Sequence, residues 1–260
     1  KFEYLTSVVY SEDIIFYPDS TAMLSNAISI SEVNKGIEFP QVSNTKTYCF
    51  YQPYLDKLSI SQTHDMFSMY SKKSSLNGNL LLQPIGLTGN GIMKLDLAEV
   101  SSNFFSFNST WFKADTANLN VFDNNNSIAF NAQNLRANID LSDREGVFYS
   151  NGLGSYVTFP ASEYISYIDK LKWEMDKEQL TFGEKELNNS KGSKFISLNS
   201  DQDSLSFIAS SADYSLKDFI INAHGVDSLN IADAVIFPDS GELIVERGAR
   251  IRTLNNSSLL

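Results

Sequence analysis

Asp140, Asp143 and Glu145 crowd around Arg144, and Asp201-Gln202-Asp203 sets two further carboxylates on one side of a turn or strand. Acids so grouped could do either of two chemistries. Two carboxylates held at a fixed separation in a cleft cleave a glycosidic bond, one giving a proton while the other attacks or activates water. Several oxygens on one turn gather around calcium. The stretch Asn199 to Ser204 lacks the Gly and the distal Glu of an EF-hand loop, so Asp201 and Asp203 read first as a solvated turn, with calcium as the alternative. His64 in Gln62-Thr63-His64-Asp65 and His224 in Asn222-Ala223-His224-Gly225 lack the spacing of a metal pair, and each reads as a surface or satisfied structural residue. Cys49, the one cysteine, sits in Tyr48-Cys49-Phe50-Tyr51 and reads as a buried thiol. Nucleophile elbows, Walker loops and dinucleotide fingerprints are missing, and Gly89-Asn90-Gly91 lacks the later Gly and the Lys that phosphate binding needs. Ser and Asp are so frequent that any Ser-His-Asp triad assembled from them carries no information. The expectation is therefore no catalytic, cofactor-binding or metal residue.

Charge narrows the partners. The 260-residue chain carries 31 acidic and 20 basic side chains, net −11, which argues against nucleic acid, because phosphate contacts need a basic surface. An anionic bilayer surface is disfavoured on the same ground. No apolar run approaches the roughly 18 residues of a transmembrane helix. The start at Lys1 and the end just after the strand-like run Glu242 to Leu254 read as a piece of a longer, processed protein.

The elements that must position these residues are strands. Period-two alternation recurs in Ile92 to Leu97, Leu119-Asn120-Val121, Leu135 to Leu141 and Leu229-Asn230-Ile231, each a half-buried strand with one wet face. Asn77-Gly78-Asn79, Gly89-Asn90-Gly91, Asp123 to Asn126, Asn151-Gly152 and Ser240-Gly241 read as turns between them. Runs beginning near Ala98, Ala117 and Asn134 lie 19 and 17 residues apart, a spacing that suits rungs of a β-solenoid or hairpins of an elongated β-jellyroll. Phe104, Phe105, Phe107, Trp111, Phe112, Phe122, Phe130, Phe148 and Phe159 beside them form either a core stack or an apolar groove for acyl chains or glycan rings. Trp111 and Trp173 both read as core. Asp13 to Ser20 matches Asp233 to Ser240 around a shared Pro-Asp-Ser, 220 residues further on, a candidate long repeat. Tyr164, Ile165, Ile168 and Leu171 fall at helical spacing and predict a short helix over Ala161 to Leu171, the one interruption of the β pattern. Gly183 to Lys194 reads as a loop or lobe boundary.

Gly86 to Ile92, followed by Phe112 to Val121, resembles the rhythm of the OstA-type β-jellyroll of periplasmic lipopolysaccharide transport, where a Gly-Asn turn leads into a strand and the next strand carries an Ala-Asp pair. Ser150 to Phe182 and Ile231 to Asp239 are similar to large uncharacterised cell-envelope β-repeat proteins of Bacteroidetes-type bacteria. These resemblances imply a β-solenoid or jellyroll of the cell envelope, periplasmic or at the cell surface, and assign no functional residue. Asp140, Asp143 and Glu145 also resemble in composition the acidic clusters of β-helical polysaccharide-cleaving enzymes.

The expected architecture is mainly β, a solenoid or elongated jellyroll with one short helical insertion. Its parts would be an N-terminal β segment (1–75), the solenoid or jellyroll core (76–160), a helix and hairpin insertion (161–194) and a C-terminal β segment (195–260). The expected function is a non-enzymatic structural or binding scaffold of the envelope. Its partner would be another envelope protein, a glycan or a lipid, with no nucleic acid and no membrane-spanning segment. The alternatives are a carbohydrate-active β-helix enzyme and a lipid-binding jellyroll.

Overall fold

The computed structural model describes residues 2–3, 8–11, 14–16, 19–25, 28–30, 33–34, 37–183 and 192–260. The chain is mainly β, 61% strand and 5% helical, in a large antiparallel sheet that does not close into a barrel. It divides into two compact units, 1–115 with 140–142, and 116–139 with 143–260.

In the first unit, strands Ile14–Phe16, Thr21–Ser25, Thr47–Gln52, Lys57–Gln62, Ser74–Gln83, Gly86–Lys94 and Ala98–Phe107 pair in succession. The near half of Ser74–Gln83 instead pairs with Phe67–Met69, which in turn pairs with Val42–Asn44. Alternation places Cys49, Ile60, Leu80 and Leu87 on the buried face, while Ser59, Ser61 and Asn79 take the other side of the same strands.

The second unit is a run of hairpins that pair with the next hairpin but one. Tyr156–Phe159 with Tyr164–Tyr167, Ser193–Ser197 with Ser206–Ala209, and Leu229–Ile231 with Ala234–Phe237 form one row. Lys170–Glu174 with Gln179–Gly183, Ser211–Ser215 with Ile220–His224, and then Glu242–Val245 form the other. The rows interdigitate through aromatic rings: Phe159 lies 5.4 Å from Phe182 and 4.9 Å from Tyr214, both edge-on. Each such buried ring contributes about 1.5–3 kcal/mol by leaving water.

The hairpin loops share a form that the sequence disguises. After one turn of 3₁₀ helix, Asp56, Glu163 and Glu178 each close their loop at φ 45, 53 and 50°. Left-handed backbone reverses the chain within four residues, at a steric cost to any side chain bearing a Cβ.

The predicted helix over Ala161 to Leu171 does not form. Pro160–Ser162 is a 3₁₀ turn, and Tyr164–Tyr167 and Lys170–Glu174 are strands. The helical spacing arises because the chain changes rows between Tyr167 and Lys170. Tyr164 and Ser166 face inward on one row, Leu171 and Trp173 on the other, and buried Ile168 fills the crossing. The predicted boundary at Gly183 to Lys194 lies mostly outside the described residues. The first Pro-Asp-Ser copy lies partly outside the described residues; the second joins Phe237 in one row to Glu242 in the other.

Two of the predicted turns are strand interiors. Asn77-Gly78-Asn79 and Gly89-Asn90-Gly91 face each other, with Gly78 opposite Gly91 and Asn79 opposite Asn90. Trp111 corrects another expectation. Its neighbour Phe112 is fully buried, while the indole lies on the outer face under the Lys113 ammonium, 4.3 Å from the ring centroid. Trp173 is buried, 4% exposed.

Candidate functional site

The acids singled out in the sequence sit in different surroundings, and the Asp140 and Glu145 carboxylates are bonded locally. Asp140 accepts from the backbone N–H and the hydroxyl of Ser142, at 2.8 and 2.6 Å. Arg144 pairs with Asp176. Glu145 bonds Lys172 at 2.8 Å in a cross-strand ladder that continues through Glu174 to Lys177. Its bond to Glu145 raises the Lys172 pKa, and the Lys177 ammonium, then Lys172, holds the Glu174 carboxyl below its usual range. Asp143 is exposed. Asp201 and Asp203 sit on an exposed 3₁₀ turn capped by Asn199, whose side chain accepts the Asp201 N–H at 2.9 Å. Among the described residues no group of three or more His, Cys, Asp and Glu side chains is placed to hold a metal ion.

His64 is exposed. His224 is held between two acids on the outer face of its row: Nδ1 lies 2.5 Å from a Glu242 oxygen and Nε2 lies 3.5 Å from Asp213, which also accepts from Thr181. Cys49 is 2% exposed, with its sulfur 3.7 Å from the Thr47 hydroxyl.

The first unit carries a concave site that none of these residues builds. A cleft of about 360 Å³ crosses strands Lys57–Gln62, Ser74–Gln83, Gly86–Lys94 and Ala98–Phe107 on their outer face. Its floor mixes hydroxyls and amides, from Ser59, Ser61, Asn79, Thr88 and Asn90, with apolar surface from Leu80, Leu81 and Gly89. The Asn79 amide donates to Asn90 at 3.3 Å. Phe104, 54% exposed, stands at one side, and Lys57 is the one charged residue among those lining it.

A β-bulge puts Phe104 there. Gly89 pairs with Phe105 and Gly91 with Ser102, so Asn90 alone faces the two residues Asn103 and Phe104. An inserted residue reverses the inward set. Ala98 and Val100 are buried before it, Phe105 and Phe107 after it, and Phe104 is turned outward. The Ser102 hydroxyl fixes the bulged backbone by accepting the Phe104 N–H at 3.1 Å and donating to the Phe104 carbonyl at 2.9 Å. Glycines make the bend possible: a Cβ on Gly78 would come within 1.9 Å of the Asn90 carbonyl oxygen, and one on Gly91 within 2.1 Å of that of Asn77. The legible signals were the paired Asn-Gly-Asn and Gly-Asn-Gly runs and the adjacent Phe104-Phe105, which violate alternation in mid-strand.

No family model, curated protein or solved structure matches the chain. No helix among the described residues is long and apolar enough to cross a membrane.

Proposed function

We propose that the chain is a non-enzymatic binding scaffold of the bacterial cell envelope, part of a larger β-solenoid-like protein. The observation that carries this reading is the pairing of each hairpin with the next but one in the second unit. Such a stack grows along one direction, each layer burying the face its neighbour offers, and leaves long outer rows of polar side chains for contact. The local engagement of the Asp140 and Glu145 carboxylates, by Ser142 and Lys172, supports binding over hydrolysis, since a general acid or base must be within hydrogen-bond reach of the substrate.

Incubating the purified chain with isolated outer-membrane and peptidoglycan fractions, then sedimenting them and assaying the supernatant for new reducing ends, tests the reading. Co-sedimentation without glycan release is expected. Failure to bind either fraction overturns the envelope scaffold, and release of reducing ends that Asp140→Asn or Asp201→Asn abolishes replaces it with a carbohydrate-active enzyme.

A further inference from the structure

We propose that the cleft at the glycine-kinked bulge is a binding site for a neutral, linear oligosaccharide. The inference rests on the scaffold reading and adds the ligand class and its place.

The row of side chains is fixed by register. Tyr48 stands opposite Ser61, Ser61 opposite Asn79, and Asn79 opposite Asn90, beyond which the bulge presents Phe104. At about 4.8 Å between strands, the strip from Tyr48 to Phe104 runs roughly 19 Å. Exposed rings mark its two ends, Tyr48 at 47% and Phe104 at 54%. Amides and hydroxyls fill the interval.

That order of groups selects a ligand. A pyranose ring has an apolar C–H face that lies flat on the electron-rich face of an aromatic ring, and a rim of hydroxyls that both donate and accept. Asn side chains match that rim because each offers a carbonyl and an NH₂. A lipid chain laid over Asn79 and Asn90, which bond each other, would strip water from their remaining donors and acceptors without replacing it. An added peptide strand is disfavoured, since Lys57–Gln62, Ser74–Gln83 and Gly86–Lys94 under the cleft are each paired on both sides and offer no open backbone edge. With Lys57 as the one charge on the lining, neither an anionic nor a cationic ligand finds a matched set of counter-charges. A volume near 360 Å³ lies within the range of about 300–1,000 Å³ for small-ligand sites.

The site is also preformed. The Ser102 hydroxyl, bonded to both the N–H and the carbonyl of Phe104, holds the bulged backbone and with it the place of the ring before a ligand arrives. Binding therefore loses little conformational freedom in the protein.

Titration calorimetry of the full chain with cellohexaose, laminarihexaose and chitohexaose, and with hexagalacturonate as the anionic member, decides the matter. Saturable binding of at least one neutral oligomer is expected. Phe104→Ala and Asn90→Ala should each weaken it tenfold or more with thermal melts unchanged, while Tyr54→Ala, exposed but outside the cleft, should leave it intact. Binding of hexagalacturonate alone, or of none of the four, overturns the proposal. Neutral binding that survives both cleft variants removes the cleft and leaves the scaffold standing. Release of new reducing ends from a bound oligomer, lost in Phe104→Ala, would keep the cleft and sink the scaffold.

Discussion

Gly78 and Gly91 face each other across two paired strands, with a virtual Cβ on either less than 2.2 Å from a carbonyl oxygen of the other strand. The backbones there approach more closely than any side chain allows. Gly78→Ala and Gly91→Ala should each destabilise by about 1–3 kcal/mol, the usual range for overpacking. Gly91 also sits at φ 125°, which adds strain to its variant. Chemical denaturation of the two variants tests this, and a melt equal to the parent would mean that the strands can part without cost.

The two tryptophans should separate in stability. Trp173 is buried, so Trp173→Ala is expected to cost about 3–5 kcal/mol. Trp111 is only half-buried, so Trp111→Ala, which removes the contact with the Lys113 ammonium and part of the covered ring surface, should cost less, about 1–3 kcal/mol. Urea unfolding of both variants gives the comparison, and equal losses would contradict the observed orientation of Trp111.

Alkaline unfolding should be led by buried phenols. Burial raises the Tyr164 pKa to about 12 and pushes Tyr70 and Tyr214 upward as well. Between the unfolded value near 10 and the folded value near 12 the unfolded chain has lost its phenolic proton while the folded chain keeps it, so stability falls as pH rises through that window. Absorbance titration should show Tyr70, Tyr164 and Tyr214 ionising together with loss of the β signal. Their ionisation in a chain that stays folded would refute the burial.

The left-handed loop closures offer a gain. Among the described residues Glu178 has no side-chain bond, and it sits at φ 50°, so Glu178→Gly should stabilise by about 1 kcal/mol through relief of the Cβ contact. Glu163→Gly should gain less, because Glu163 accepts a 2.7 Å bond from the Asn199 amide. Thermal melts that rank the two the other way would place the Glu163 carboxylate outside that bond.

Several features were legible from residue order alone. Alternation at Leu135 to Ile139 named the buried face of one strand, since period two is a property of extended backbone wherever it lies. Cys49 among aromatics was read as buried, and it is. Tertiary structure decided the rest. Gly-Asn clusters turn a chain equally well or let two strands touch, and the partner strand chose the second outcome for Gly78 and Gly91. Tyr164, Ile168 and Leu171 mimic a helix because the chain crosses between rows at Ile168, a break in phase that no local window registers. The cleft depends on side chains from four strands and on one inserted residue beside Phe104. Sequence fixes the inward and outward sets of each strand, while register and bulges, which belong to pairs of strands, determine which outward residues meet.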